Sequence, residues 1–189
     1  MNEQVPPTSD PRPADLIVPE SLVVLHTGDG KGKTTAAIGT AVRSRALGWP
    51  VIVLQFIKSG QWKSGEEESC RALGIEFAAL GAGFTWDSTN MQNDITLART
   101  AWNKAAEYIR AGSHRLIVLD ELTYLCSWNW IDTDEVVDVI ARRPSDVSVV
   151  ITGRDADPRL VALADTASEV RSLHHAYDRG IAAMRGVDF

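Results

Sequence analysis

The residues with the clearest chemical potential form one short stretch of the chain. It reads Gly28, Asp29, Gly30, Lys31, Gly32, Lys33, Thr34 and Thr35. Glycines let a backbone approach a ligand closely, so that successive N–H groups can cradle phosphate oxygens. A helix that starts at Lys33 adds the positive end of its dipole, while the lysine supplies a cation and Thr34 a hydroxyl ligand for Mg²⁺. The spacing therefore predicts a P-loop that binds a nucleotide triphosphate.

The match to the P-loop motif has one defect, because Thr27 stands where the motif asks for its first glycine. The alternative is a glycine-rich turn between a strand and a helix that binds nothing. Four apolar residues before the loop and a helix-forming run after it favour the P-loop.

The elements that must position this loop alternate between strands and helices along the chain. We predict strands at about 22–27, 51–56, 75–80, 116–121, 147–152 and 168–173. We predict helices from the loop to Leu47 and at about 66–73, 92–111, 133–143 and 157–164. This alternation, with continuous apolar strands, predicts an α/β fold with a doubly wound, mostly parallel sheet of five to six strands. Trp102 falls on the apolar face of the long helix, so we expect it in the core.

Polar side chains follow several of these strands, at the edge of the sheet where such folds bind ligands. Asp120 and Glu121 end an apolar strand and resemble a Walker B element, whose acid holds Mg²⁺. An acidic strand end without a ligand is the alternative. Lys58 and Arg154 also follow strands and are candidate contacts to ATP, although a surface salt bridge would equally explain the arginine.

Aromatic residues in loops form a second group of candidates. Phe84 and Trp86 lie in a glycine-rich loop and would either meet a flat ligand or pack under the sheet edge. Trp128 and Trp130 raise the same question after the Walker B strand, and there packing is the favoured interpretation. His174 and His175 stand apart from other metal-ligating residues in the sequence and predict no metal site.

Composition limits the class of protein. The chain has 189 residues with a formal net charge of −6 and no basic block, so we expect no nucleic-acid partner. No apolar run reaches about 18 residues, so we expect no membrane span. Two cysteines without a CxxC pair favour a reducing cytoplasm. Residues 1–20 contain five prolines and predict a flexible arm before one domain at 21–189.

These residues predict a Mg²⁺-nucleotide-binding α/β protein and leave its reaction open. An ATP-hydrolysing motor or switch is one class, and an enzyme that uses ATP for group transfer is the other. A motor would normally carry a basic surface or further domains, whereas this sequence is short, acidic and almost wholly accounted for by one predicted sheet.

Several motifs, taken together, favour the group-transfer enzyme, because they resemble those of a known family. From about residue 22 to 189 the chain resembles the P-loop type ATP:corrinoid adenosyltransferases, which include the cob(I)yrinic acid a,c-diamide adenosyltransferases. The most specific segments are Gly-Phe-Thr-Trp at 83–86 and Asp-Glu-Leu-Thr-Tyr at 120–124. The others are residues 27–37, Gln-Phe-Ile-Lys at 55–58, Ile-Thr-Gly-Arg at 151–154, His-Ala-Tyr-Asp at 175–178, Gly180 and Gly-Val-Asp-Phe at 186–189. Threonine at the first P-loop position is usual in this family.

The resemblance implies transfer of the 5′-deoxyadenosyl group of ATP to Co(I) of a corrinoid, with release of triphosphate. It implies that ATP binds in reverse, with its γ-phosphate deepest in the loop that Lys33 completes. Thr34 and Glu121 would contact Mg²⁺, with Asp120 acting through other groups. Phe84 and Trp86 would crowd the lower face of the corrinoid, displace its lower axial ligand and ease reduction of Co(II).

The resemblance also implies partners and leaves some points open. It implies a flavin-dependent reductant and a homodimer in the cytoplasm. Relatives carry an N-terminal helix that covers the active site, whereas the first 20 residues of this chain are proline-rich. A P-loop ATPase or regulatory nucleotide-binding module remains the alternative. Whether the corrinoid belongs to biosynthesis or salvage is left open by the sequence.

Overall fold

The computed structural model describes residues 9, 12, 13, 15–57, 64–81 and 91–188. The strands are β1 (Val23–Thr27), β2 (Val51–Gln55), β3 (Glu76–Ala79), β4 (Leu116–Asp120), β5 (Ser148–Thr152) and β6 (Thr166–Glu169). The helices are α1 (Lys33–Ala46), α2 (Gly65–Ala72), α3 (Met91–Ala111), α4 (Leu122–Ser127), α5 (Thr133–Ala141) and α6 (Pro158–Leu163), and a short 3-10 turn follows at Tyr177–Arg179.

The described strands form one sheet in the order β3-β2-β4-β5-β1-β6, and every pairing in it is parallel. Strands β2, β4 and β5 are buried along their whole length, as their continuous apolar sequences predict. The prediction of an α/β fold with a parallel sheet of five to six strands is confirmed. The centre of this sheet places the ends of β1, β4 and β5 side by side.

Side chains alternate between two cores, one on each face of the sheet. In β4, Ile117 and Leu119 join the core that contains Trp102 of α3, while Val118 joins the core that contains Ala37 and Ala41 of α1. These two alanines, one turn apart, let α1 lie close against the sheet directly after the loop. The first residues of α1 are therefore held firmly at the carboxyl edge of the central strands.

Trp102 is fully buried, which confirms its predicted place in the core. Its indole Nε1 donates a hydrogen bond of 2.7 Å to Oε1 of Glu135 on α5. A buried indole N–H needs such an acceptor, so this bond lets the largest side chain of the core pack without an unmet donor.

Two elements differ from the prediction. The last strand is Thr166–Glu169, not 168–173, because the chain leaves the sheet at Val170, whose N–H donates to Thr27 and whose carbonyl accepts from Gly30. Helix α4 was not predicted. It begins immediately after Glu121, whose left-handed backbone (φ 66°) turns the chain sharply out of β4.

The N-terminal residues 15–20 are exposed and have no helical or strand structure. The division of the chain at residue 20 stays a prediction. None of the helices within the described ranges is long and apolar enough to cross a membrane.

Candidate functional site

The glycine-rich loop joins β1 to α1, and its lysine reaches back across it. Lys33 is the first residue of α1, and its Nζ donates to the carbonyl oxygens of Gly28 (2.5 Å) and Gly30 (2.7 Å). Burial, and after it the nearby charge of Arg154, lowers the pKa of this ammonium. The predicted P-loop therefore exists as a closed turn with a cation at its centre.

The three glycines of the loop have different surroundings. A Cβ on Gly28 would lie 2.5 Å from the carbonyl oxygen of Val170, and a Cβ on Gly30 would lie 2.7 Å from the carbonyl carbon of Arg171. Gly32 has a φ of 120° and nothing within 4 Å of its ideal Cβ position. The first two glycines therefore make room for the protein's own backbone, and the third permits the turn at the open side of the loop.

Thr27 occupies the first motif position because it still belongs to β1. It pairs with Glu169 in the sheet, and its carbonyl oxygen accepts from the N–H of Val170 at 2.8 Å. Its hydroxyl accepts a longer hydrogen bond, of 3.3 Å, from the N–H of Ala156. A β-branched residue suits a strand end of this kind, so threonine at this position is compatible with a complete loop.

Asp120 forms the centre of a buried hydrogen-bond network at the end of β4. Its Oδ1 accepts from the hydroxyls of Thr34 (2.9 Å) and Thr152 (2.7 Å), and its Oδ2 accepts from Nε2 of Gln55 (2.9 Å). The carboxylate is only 1% exposed. It ties the first turn of α1 to the ends of β2, β4 and β5, and its two oxygens are occupied by protein donors.

Glu121 follows at the same edge of the sheet and lines the cleft beside the loop. Its backbone N–H donates to the hydroxyl of Thr152 at 2.9 Å, which holds the left-handed turn of the chain. Thr34 lies in the same cleft, and its hydroxyl proton is directed to Asp120, which leaves its lone pairs for another partner.

These oxygens fit the ligand preferences of Mg²⁺, which takes one or two carboxylate or hydroxyl groups of the protein together with phosphate oxygens and water. Thr34 and Glu121 are the residues that would hold the ion, while Asp120 would orient the threonine. Among the described residues, no group of three or more histidine, cysteine, aspartate or glutamate side chains is arranged to hold a metal ion.

The cleft has a volume of about 300 Å³ and a polar lining. Predicted residues in it are Asp29, Gly30, Lys31, Gly32, Lys33, Thr34, Thr35, Glu121 and Arg154. Six further residues line it that were assigned no site role from the sequence: Glu66, Tyr124, Thr152, His175, Val187 and Asp188. All but Glu66 lie in the motifs that carry the family resemblance, which were the signal that could have revealed them. Thr152 follows the rule that strand ends carry the site, so its position could have revealed it. Glu66 and the C-terminal residues come from outside the central strands, where no such rule applies.

Arg154 forms one of its two predicted contacts, a surface salt bridge, while its contact to ATP stays a prediction. Its Nη1 lies 3.7 Å from Oδ1 of Asp29, and both side chains are largely exposed. An exposed pair of this kind contributes little to stability. Arg154 also lines the cleft, so its guanidinium is available to a phosphate at the cost of a weak ion pair.

The tryptophans after β4 contact one another beside the cleft with their rings tilted by 58°. Tyr124 lines the cleft and lies 5.2 Å from the ring of Trp128, which in turn lies 4.9 Å from the ring of Trp130. Trp130 packs against the core, as predicted, whereas Trp128 remains 38% exposed. Lys58, Phe84 and Trp86 lie outside the described residues, so their predicted roles stay predictions.

Fold and loop together place the chain in the parallel α/β class, with a fold consistent with that of P-loop proteins. The family of ATP:corrinoid adenosyltransferases BtuR/CobO/CobP matches residues 19–189, and the chain belongs to this family.

Curated relatives extend over nearly the same length. A corrinoid adenosyltransferase of Escherichia coli K12 is 40% identical over 180 residues, which cover 95% of this chain and 91% of the relative. The corrinoid adenosyltransferase CobA of Salmonella typhimurium is 38% identical with the same coverage. A corrinoid adenosyltransferase of Pseudomonas aeruginosa is 38% identical over 89% of this chain and 83% of the relative.

Proposed function

We propose that this protein transfers the 5′-deoxyadenosyl group of ATP to Co(I) of a corrinoid and releases triphosphate. The observation that carries the proposal is a glycine-rich loop closed by Lys33, beside Thr34 and Asp120, in a chain that belongs to the corrinoid adenosyltransferase family. The corrinoid is a substrate, and its cobalt is the nucleophile.

The reaction requires stabilisation of a leaving group more than it requires a base. Co(I) supplies the electron pair of the new cobalt–carbon bond to the 5′ carbon of the ribose. The carbon–oxygen bond breaks, and its electron pair leaves with the triphosphate. Preorganised donors at the position where charge develops are the main catalytic device for such a step. The ammonium of Lys33, at the start of α1, would supply this device together with those N–H groups of the loop that, unlike that of Gly30, are not bonded to Val170.

Mg²⁺, held by Thr34 and Glu121, would add positive charge that offsets the repulsion among the phosphates. Asp120 keeps its two oxygens on protein donors, so its role in this arrangement is to fix the hydroxyl of Thr34. Lys58 and Arg154 are proposed as further contacts to ATP, and for Arg154 its position in the cleft supports this.

Phe84 and Trp86 are proposed to act on the corrinoid, by displacing its lower axial ligand and easing reduction of Co(II). The test compares Phe84→Ala and Trp86→Ala with the unmodified protein in two assays, one starting from Co(II) and one from chemically prereduced Co(I). We expect a large loss in the first assay and a small loss in the second. Equal losses in both would refute the redox role.

A homodimer, a flavin-dependent reductant and a cytoplasmic location complete the proposal. The first two are what the resemblance of the sequence implies, while two buried cysteines without a disulfide suit a reducing compartment.

The decisive experiment is an anaerobic incubation with chemically prereduced corrinoid, ATP and Mg²⁺, followed by visible spectroscopy and analysis of the phosphate products. We expect the spectrum of an alkylated corrinoid and one triphosphate for each cobalt–carbon bond formed. Lys33→Ala should abolish both signals, whereas Glu107→Ala, on the exposed surface of α3, should retain them. Release of phosphate or diphosphate without alkylation would overturn the proposal and favour an ATPase.

A further inference from the structure

The chain that follows β6 crosses the P-loop and returns to it. We call residues 170–188 the C-terminal segment. At its start, the carbonyl oxygen of Val170 accepts a hydrogen bond of 2.7 Å from the N–H of Gly30. At its end, Oδ1 of Asp188 lies 2.8 Å from Nζ of Lys31. Both ends of the segment are therefore attached to neighbouring residues of the loop, Gly30 and Lys31.

The loop is shaped to receive this segment. A Cβ at Gly28 or Gly30 would collide with backbone atoms of residues 170 and 171. Backbone atoms cannot rotate away as a side chain can, so the close approach depends on glycine at both positions. The contact is thus part of the architecture of the loop and not a loose covering.

Three residues of the segment, His175, Val187 and Asp188, line the cleft that also contains Lys33 and Thr34. Asp188 would repel a phosphate if it stood alone. Its ion pair with Lys31, however, neutralises it, and the hydrogen bond from that lysine lowers the pKa of the carboxyl. The segment therefore brings its carboxylate to the triphosphate site with a matching cation.

His175 has a defined hydrogen-bonding state. Its Nδ1 accepts a hydrogen bond of 3.1 Å from the backbone N–H of Tyr177, so Nδ1 bears a lone pair. The ring proton of the neutral imidazole consequently lies on Nε2. The backbone N–H of His175 is itself held by Oδ2 of Asp178 at 3.1 Å, which fixes the residue in its turn. The imidazole is thus arranged as a donor at the wall of a phosphate-binding cleft.

We propose that His175 is a nucleotide-binding residue that the P-loop motif does not contain, and that its Nε2–H donates to an oxygen of the triphosphate. The Lys31–Asp188 ion pair positions the segment for this contact. The inference rests on the proposed use of ATP as the substrate. It assigns to the C-terminal segment a direct part in holding ATP before transfer and triphosphate after it.

The test measures equilibrium binding of MgATP and of magnesium triphosphate by calorimetry, in the absence of corrinoid. His175→Ala should weaken both by about tenfold, the loss expected for one hydrogen bond to a charged group, or about 1.4 kcal/mol. His175→Gln, which retains an N–H donor, should recover part of the affinity. His174→Ala is the matched control, because this neighbouring histidine is exposed and lies outside the cleft lining. Unchanged affinity in His175→Ala would overturn the proposal.

Limited proteolysis of the unmodified protein gives a second measurement that depends on no variant. Arg179 and Arg185 are exposed trypsin sites within the segment. Saturating MgATP should slow cleavage at both by fivefold or more, because the bound nucleotide would hold the segment through His175. Equal cleavage with and without MgATP, at a concentration where calorimetry shows saturation, would refute a direct contact.

These outcomes are separable from failure of the proposed reaction. A protein that binds MgATP through His175 but alkylates no prereduced corrinoid would retain this inference and lose the proposed function. If instead the protein alkylates the corrinoid, and His175→Ala binds MgATP as tightly as the unmodified protein, the proposed function stands and this inference fails.

Discussion

Replacement of Asp120 by alanine should be the most damaging single change at the site. The carboxylate is the shared acceptor for Thr34, Thr152 and Gln55. Thr34 can turn to water in the cleft, but Thr152 and Gln55 are 1% and 4% exposed and cannot. A buried donor without an acceptor costs about 1–3 kcal/mol, so two of them cost about 2–6 kcal/mol.

Removing a buried charge returns part of that cost, since its desolvation is no longer required. We therefore expect Asp120→Ala to lower the free energy of unfolding by about 2–4 kcal/mol. Asp120→Asn retains one oxygen for the two threonine hydroxyls and should lose only about 1–2 kcal/mol. Both variants should weaken MgATP binding by about tenfold, because the hydroxyl of Thr34 loses a charged acceptor.

Urea denaturation followed by circular dichroism measures the free energy, and calorimetry on the folded proteins measures binding. Glu107→Ala removes an exposed carboxylate from α3 and should change the free energy of unfolding by no more than about 0.5 kcal/mol. If Asp120→Ala is as stable as this control, the carboxylate does not satisfy the buried donors and the network has been misassigned.

Three further predictions concern the loop, the core and the cysteines. Gly30→Ala should lower the melting temperature, because the new Cβ would collide with the backbone of Val170 and Arg171. Gly39 lies in α1 with open space around it, so Gly39→Ala should raise the free energy of unfolding by about 0.5–1 kcal/mol. Thermal denaturation measures both changes. Trp102→Phe should cost about 2–3 kcal/mol in urea denaturation, since it loses buried area and leaves the Glu135 acceptor without its indole donor. Burial raises the pKa of the Cys70 and Cys126 thiols to about 11. As the pH rises, the thiols of the unfolded chain therefore lose their protons before those of the folded protein. Between about pH 9 and 11, each thiol should lower the free energy of unfolding by up to about 1.4 kcal/mol for each pH unit. Urea denaturation at a series of pH values measures this fall, with the variant that carries alanine at both positions as the control.

Much of the site could be predicted from the sequence because parallel sheets obey a simple rule. Apolar strands such as β4 and β5 are recognisable by their continuous burial, and their carboxyl ends meet at one edge. Asp120 and Arg154 were found in this way. Lys33 and Thr34 were found by the spacing of their motif, which specifies a local turn.

The remaining features depend on contacts that no local pattern encodes. Helix α4 is short, and it begins where Glu121 adopts a left-handed backbone that its residue type does not favour. The early end of β6 follows from hydrogen bonds between Val170 and the loop, which is more than 130 residues earlier in the chain. His175 reaches the cleft only because the C-terminal segment crosses that loop.

The structure also changes the meaning of the glycine pattern in the loop. A P-loop glycine is usually explained by the approach of phosphate. Here Gly28 and Gly30 are required by the protein's own backbone at residues 170 and 171. Gly32, by contrast, has open space at its Cβ position. Thr27 can replace the first motif glycine because it remains in β1, opposite Glu169, and bonds to Val170 through its backbone.

This arrangement suits a reaction in which the whole triphosphate leaves. A phosphoryl-transfer site must leave the terminal phosphate open to an attacking group, whereas a site that releases triphosphate can enclose that end and leave the ribose exposed. The loop, Lys33 and the C-terminal segment, with its lysine–aspartate pair, meet at one end of the cleft, and the proposed function assigns this end to the phosphates. Closure at that end costs the proposed reaction nothing, because the new bond forms at the opposite end of ATP. It would block a hydrolytic water from the γ-phosphate, so a slow ATPase side reaction is the physical consequence expected of the same contacts that hold the leaving group.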